Sequence, residues 1–257
     1  MNSDFDFLIV GAGFSGLVLA ERLSTQLGCS SLVVEKRDHI GGNAYDYSDS
    51  AGVRVHKYGP HYFRTNSDRV VQYLSQFTQW YPVEYEVRSF TEGRFWHFPV
   101  NLNTFEQLLG RPSTSAEFEE WLRDQQVPIS SPQNSEELIV SKVGWELYDK
   151  FYKGYTLKHW KRHPRELAPS VCGRIPIRTN RDNRYLGESF QALPRDGYTT
   201  MFHRLLEAAG ENVTVQLNTS FEEARQSVSF RHLVYTGPID AYFEHSLGEL
   251  PYRSLRF

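Results

Sequence analysis

The sequence is short of cysteine, of long apolar runs and of charge of one sign. Two cysteines in 257 residues, Cys29 and Cys172, cannot build a disulfide framework or a cysteine-ligated zinc site, and they read as buried thiols of a reducing compartment. No apolar stretch approaches the roughly 20 residues that a membrane-spanning helix requires. The opening residues MNSDFDFLIVG are acidic where a secretory signal would be basic, so the expectation is a cytoplasmic protein with no membrane span. A net charge of -3 gives no general attraction to nucleic acid or to an anionic bilayer, and any anionic ligand must be caught by local arginine clusters. No His, Asp or Glu residues are placed as a metal pair, and neither G-x-S-x-G nor a Cys-His arrangement supplies a nucleophile of the protein's own. Repeats and low-complexity segments are absent as well.

What is present is enough apolar material for a core, together with many flat side chains. Hydrophobic residues make up 40% of the chain and aromatic ones 14%, a supply of rings suited to stacking on planar ligands as well as to filling an interior. The run Phe5-Asp6-Phe7-Leu8-Ile9-Val10 reads as a strand of a parallel sheet covered on both faces. It leads into Gly11-Ala12-Gly13-Phe14-Ser15-Gly16, a G-x-G-x-x-G, and then into Leu17, Ala20, Leu23 and Leu27 at helical spacing, with Gly28 as the stop. Ser31-Leu32-Val33-Val34-Glu35 follows as a second strand, its terminal acid standing 19 residues beyond Gly16. In such a unit the first glycine makes the turn, the second lets the backbone approach a pyrophosphate, and the third packs helix on strand. The helix N-terminus then takes the phosphate charge, and the acid accepts from ribose hydroxyls. An acid at this position also argues against the 2′-phosphate of NADP.

A second glycine pair, in Glu35-Lys36-Arg37-Asp38-His39-Ile40-Gly41-Gly42-Asn43, resembles the FAD-binding pattern of the glutathione reductase and amine oxidase superfamily. That resemblance implies FAD as cofactor, with Gly11, Gly13, Phe14, Ser15, Gly16, Glu35, Lys36, Gly42 and Asn43 as its binding set.

Further along, His56-Lys57-Tyr58-Gly59-Pro60-His61-Tyr62-Phe63-Arg64-Thr65-Asn66 and Phe98-Pro99-Val100-Asn101-Leu102-Asn103-Thr104-Phe105 resemble two segments of the bacterial UDP-galactopyranose mutase family. Three more agree with it: Lys153-Gly154-Tyr155-Thr156-Leu157-Lys158-His159-Trp160; Arg174-Ile175-Pro176-Ile177-Arg178 with Asp182-Asn183-Arg184-Tyr185; and Tyr235-Thr236-Gly237-Pro238-Ile239-Asp240 with Tyr252-Arg253-Ser254-Leu255-Arg256-Phe257. The resemblance implies interconversion of UDP-galactopyranose and UDP-galactofuranose without net redox change. The reaction requires reduced FAD, whose N5 forms an adduct with the sugar. It also implies a homodimer in a pathway to cell-surface polysaccharide. By the same resemblance Arg174 contacts the pyrophosphate, Tyr155 stacks on uracil with Phe151 and Thr156 nearby, and Trp160 lies beside the sugar. Tyr185 donates to phosphate, Asn101 and Arg253 belong to the substrate cleft, and His61 stands close to the flavin ring. Catalytic weight falls on His61, Arg174 and Trp160. The chain departs from the family at Lys161, where glycine is common in a mobile loop, and at Pro60 and Arg64. Family members also continue past Tyr-Arg-Ser-Leu into a segment that closes the flavin site, so weakened flavin retention is expected here. Two other readings share parts of the pattern: an incomplete flavoprotein that binds FAD without turnover, and a flavin amine oxidase-like oxidoreductase.

The expected class is α/β: a Rossmann-like FAD-binding parallel sheet with a helical insertion and an antiparallel sheet domain. Residues 1–80 with about 205–240 are assigned to the FAD-binding domain and 101–165 to the helical insertion. An antiparallel substrate domain takes 81–100, 166–204 and 241–257. Thr114-x-x-Glu117 and Asn134-x-x-Glu137 have the form of capping boxes on either side of a linker at 127–134, and 83–88 with 93–98 form alternating runs around a turn at Thr91-Glu92-Gly93.

Overall fold

The apolar run Phe5–Val10 is an inner strand of a four-stranded sheet whose order is Val213–Gln216, Ser31–Val34, Phe5–Val10, Phe230–Tyr235, with every pairing parallel. The computed structural model describes residues 4–252. Leu8 and Ile9 are adjacent, point to opposite faces and are both 0% exposed, which is why this strand is continuously apolar rather than alternating. Ile9 packs with Val33, Leu17, Ala20 and Phe202 beneath the helices Phe14–Leu27 and Tyr198–Ala209. Leu8 packs with Leu32, Val34 and Ala224 beneath the helix Phe221–Ser227. Gly28 ends the first helix in the left-handed region at φ 64°, donating back to the carbonyls of Leu23 and Ser24. The α/β class with a Rossmann-like parallel sheet is thus observed, and the two late strands complete that sheet.

The chain divides into two compact units, one of Met1–Val83 with Ser189–Phe257 and the other of Glu84–Glu188. Besides its parallel sheet, the first unit holds an antiparallel sheet in the order Phe63–Thr65, Phe190–Pro194, Trp80–Pro82, and the strand pair Asp46–Ser48 and Arg54–His56. Asp46 accepts from the backbone N–H groups of Tyr198 and Thr199, so a carboxylate from far back in the sequence caps the helix that Gly197 cannot cap. The described part of 241–257 carries turns and no strand.

The second unit opens with the antiparallel pair Val87–Thr91 and Arg94–Phe98, joined at Glu92 and Gly93, whose φ values of 53° and 73° suit a tight hairpin turn. Helices Leu102–Leu109, Ser115–Gln125 and Ser135–Leu147 follow. Their core joins Trp96 and Phe98 of the hairpin to Phe105, Phe118, Ile139, Tyr148, Phe151 and Tyr152. Thr114 and Asn134 each accept from the backbone N–H three residues on, as the sequence suggests. Only half of each capping box forms, because the Glu117 carboxylate is drawn to Arg111 and Ser113 and that of Glu137 to the backbone of Gln133. The last long helix passes through a π-helical turn, Tyr148–Lys153, into Gly154–Trp160.

Candidate functional site

In the first unit the glycines of the opening motif make a cradle. Gly11 has φ +103°, and a Cβ there would stand 2.3 Å from Thr236 Oγ1. A Cβ on Gly16 would fall 1.9 Å from the Gly11 carbonyl oxygen, so helix and strand pack backbone to backbone. Gly13 is different: its added Cβ would meet only Gly42 Cα, at an ordinary contact distance of 3.8 Å, so a side chain there is not excluded by the protein itself. Gly13 is also the N-cap, with no side-chain cap and no acidic residue in the first turn, so the leading N–H donors of a 14-residue helix have no side-chain anion of that turn. Phe14 turns inward, edge-on to Tyr198 and Phe202, while Ser15 is exposed.

Glu35 is buried at the end of the second strand, where Oε2 accepts from Ala12 N at 3.1 Å and Oε1 from Arg37 N at 3.0 Å. Each oxygen keeps a further lone pair, as a ribose acceptor requires. Gly41 N donates to Ala12 O at 2.7 Å, bringing the second glycine pair against the first; a Cβ on Gly42 would lie 3.0 Å from Gly13 Cα. Asn43 takes a hydrogen bond from Arg37 at 2.9 Å, and Lys36 is exposed beside it. A glycine at the N-cap, uncapped helix donors and an oriented buried carboxylate fit the pyrophosphate and ribose of a dinucleotide. His61 is half-buried, with Nδ1 against Gly59 O at 2.9 Å, and its own carbonyl accepts from Tyr198.

The second unit gathers a different set. Tyr155, 41% exposed on Gly154–Trp160, lies parallel to His159 with ring centroids 5.6 Å apart, and Trp160 closes that helix edge-on to His159. Tyr155 and the Arg174 guanidinium both lie close enough to Tyr185 to act on it electrostatically. Burial of Tyr185, more than any neighbour, drives its pKa far up, so it is a neutral donor. Phe151 and Thr156 support this group from inside: Phe151 packs against Trp96 and Phe98, and the Thr156 hydroxyl meets Cys172 Sγ at 3.4 Å.

Four arginines lie between 174 and 184, and the structure separates them. Arg178 donates to the carbonyls of Arg184 and Leu186, Arg181 pairs with Glu106, and Arg184 holds Asp182 through two bonds at 2.9 and 2.8 Å. Arg184 thereby draws the Asp182 carboxyl down to about 2, and Arg181 does the same for Glu106. Arg174 is exposed and, among the described residues, pairs with no carboxylate. Asn101 is wholly buried: its Oδ1 accepts from Thr104 N, and its Nδ2 donates to Asp182 O and Asn183 Oδ1. Its amide thus caps a helix and ties down the 182–183 turn, a role its position in the sequence did not announce. Arg253 lies outside the described residues. Thr236, Asp182 and Asn183 lie in segments that carry the family resemblance, but their roles as polar anchors emerge only from packing.

A family model described as UDP-galactopyranose mutase matches residues 150–257, and one described as NAD(P)-binding Rossmann-like domain matches residues 9–77. The chain is 38% identical over 255 residues to a Klebsiella pneumoniae protein named "Probable UDP-galactopyranose mutase", covering 98% of this chain and 65% of that protein. It is 34% identical over 257 residues to the dTDP-fucopyranose mutase of Escherichia coli, covering 97% of this chain and 67% of that protein. It therefore spans about two thirds of the length of these relatives. Its fold is similar to a crystal structure of reduced UDP-galactopyranose mutase, with a TM-score of 0.70 at 20% identity over 93% of this chain and 57% of the other.

Proposed function

This chain belongs to the UDP-galactopyranose mutase family, and on that premise we propose that it serves the interconversion of UDP-galactopyranose and UDP-galactofuranose without net redox change. The observation that carries the proposal is Arg174: it is the one arginine of its segment left without a carboxylate, and it stands beside the Tyr155–Tyr185 pair. A departing diphosphate needs planar cationic donors, and a uracil needs a ring to stack on. Arg174 would neutralise the leaving UDP, Tyr155 would hold the base, and Tyr185 would donate a hydrogen bond to a phosphate oxygen. Trp160 is assigned to the sugar, and Asn101, Phe151 and Thr156 hold the walls of the site in place. Arg253 is assigned to the same substrate.

The glycine cradle, Glu35, Lys36 and Asn43 would hold FAD, with His61 near its ring. When bound in its reduced form, the flavin supplies an electron pair for the anomeric carbon. We assign the protein to the cytoplasm as a homodimer acting on a nucleotide sugar rather than a nucleic acid, with galactofuranose destined for cell-surface polysaccharide. Among the described residues no helix is long and apolar enough to cross a membrane. The Escherichia coli relative supports a second substrate, a dTDP-linked deoxyhexose, on the same site.

The test adds FAD to the purified chain, reduces it with dithionite and follows UDP-galactofuranose and dTDP-fucofuranose by chromatography. Conversion of the UDP-sugar by the reduced form alone is the expected result, and preference for the dTDP-sugar would select the second substrate. Bound flavin with no conversion of either would identify a cofactor-binding piece without turnover. Arg174→Ala is expected to weaken UDP binding about 30-fold, the loss of a charge-assisted contact of about 2 kcal/mol. Unchanged UDP affinity would remove Arg174 from the site.

A further inference from the structure

Positive charge is gathered on one stretch of the second unit. Residues 150–174 hold seven of the chain's 28 lysines and arginines and one of its 31 acids, Glu166, in a chain whose net charge is -3. Two of the seven are neutralised locally: Lys150 pairs with Glu92 at 3.1 Å and Lys153 with Asp149 at 3.0 Å. Lys158, Lys161, Arg162, Arg165 and Arg174 are all exposed, and among the described residues none of them pairs with a carboxylate. The backbone that carries them is anchored. Gly154–Trp160 is helical, Pro164 is buried at the start of the short turn Pro164–Glu166, and His163 lies 3.6 Å from Glu136. Tyr155, Lys158 and His159 stand at i, i+3 and i+4 on that helix and share one face, as the stacked rings of Tyr155 and His159 confirm. Thr156 of the same helix meets Cys172 Sγ at 3.4 Å, two residues before Arg174, so the basic stretch and Arg174 lie on neighbouring elements.

Exposed cations without counter-charges repel one another and add little to folding. The same arrangement serves an anion in solution: charges of one sign around a binding position raise the local potential and speed the arrival of an oppositely charged ligand. We propose that Lys158, Lys161, Arg162 and Arg165 form a steering surface for the diphosphate of the nucleotide, speeding its arrival at Arg174 and Tyr155 without holding it once bound. This rests on the assignment of Arg174 and Tyr155 to the nucleotide, and it gives a kinetic role to four cations outside that substrate set. Arg174 then acts chiefly on the dissociation rate and the four outer cations on the association rate. Only the long-range part collapses when salt shortens the Debye length, from about 30 Å at 10 mM to about 8 Å at 150 mM.

The test is stopped-flow tryptophan fluorescence of the 257-residue chain, with FAD supplied, mixed with UDP and separately with uncharged uridine at 10 and at 150 mM NaCl. The UDP association rate is expected to fall about tenfold between the two salt concentrations, while the uridine rate stays constant. Replacing three exposed cations together, Lys158→Gln, Arg162→Gln and Arg165→Gln, should slow UDP association about fivefold at 10 mM and abolish most of its salt dependence. The dissociation rate should stay within about twofold and the melting temperature should be unchanged or higher. In Arg174→Ala the loss should fall chiefly on dissociation. An unaltered association rate in the triple variant overturns the steering surface and leaves the nucleotide assignment intact. A loss confined to dissociation also overturns it, since the three residues would then be direct contacts. If calorimetry finds no UDP binding by the unsubstituted chain, the assignment of Arg174 and Tyr155 falls, and with it the target toward which the surface steers.

Discussion

Two glycines three residues apart should respond to the same substitution in opposite ways. An alanine at Gly16 places its Cβ 1.9 Å from the Gly11 carbonyl oxygen, 3.2 Å from that carbonyl carbon and 3.3 Å from Ile9 Cγ2. These are two backbone atoms and a core side chain, none able to swing aside, so strand and helix must separate by more than an ångström. Overpacking of this kind costs about 3 kcal/mol. At about 2–4 °C per kcal/mol for a chain of this size, the melting temperature should fall by roughly 6–12 °C. Alanine at Gly13 meets nothing nearer than 3.8 Å, and the backbone there, φ -86° and ψ -170°, is open to any residue. Losing glycine at an N-cap costs a few tenths, and restricting the unfolded chain returns about as much, so stability should stay within about 1 kcal/mol. The new methyl group would instead occupy the approach to the helix N-terminus, and FAD affinity should fall about 100-fold, or about 2.7 kcal/mol. Thermal melts without flavin, with FAD titrations by flavin fluorescence, separate the two outcomes. A Gly13→Ala protein that melts as early as Gly16→Ala, or that keeps its FAD affinity, would refute the division of labour drawn here.

Further predictions concern the second unit. Lys161 ends its helix at φ 55° and ψ 26°, so Lys161→Gly should relieve left-handed strain, less the entropy of the new glycine, for a net gain of about 0.5–1 kcal/mol. A lowered melting temperature would show that the Lys161 side chain contributes more than its backbone costs. Asn101→Ala should cost roughly 2–4 kcal/mol in urea unfolding, because a cap is lost and buried partners at Thr104, Asp182 and Asn183 are stranded. A change within about 0.5 kcal/mol would leave Asn101 a ligand contact only. Asp182, held at about 2 against an ordinary 3.8 chiefly by Arg184, contributes stability that is present above about pH 4 and lost as pH falls toward 2. The gap between the unsubstituted protein and Asp182→Asn should be about 1–2 kcal/mol at pH 7, after discounting for exposure, and should shrink by pH 3; a gap constant across that range would deny the pairing its electrostatic origin.

Much of the first unit could be read along the chain because its signals are local. The unbroken apolar run, the glycine spacing, the stop at Gly28 and the acid at Glu35 each depend on neighbours a few residues away, and each stands where the pattern puts it. The late strands Val213–Gln216 and Phe230–Tyr235 could be seen as strands, but their places at opposite edges of the parallel sheet could not. The capping positions Thr114 and Asn134 were also legible, although the reciprocal bonds failed where other donors reached the glutamates first.

By itself, then, the sequence determined the dinucleotide-binding unit, the elements around it and the family, because helix and strand periods, caps and glycine turns are short-range properties of consecutive residues. Only the tertiary structure decided which side chains remain available. Arg178, Arg181 and Arg184 are as cationic as Arg174 on paper, yet carbonyls and carboxylates brought in by the fold engage each of them and leave Arg174 free of any carboxylate among the described residues. Asn101 likewise resembles a cleft residue until the 182–183 turn closes over it, and Tyr152 resembles core packing until its hydroxyl is found without a partner. Whether a polar group is committed depends on partners distant in sequence, and those partners are chosen by packing.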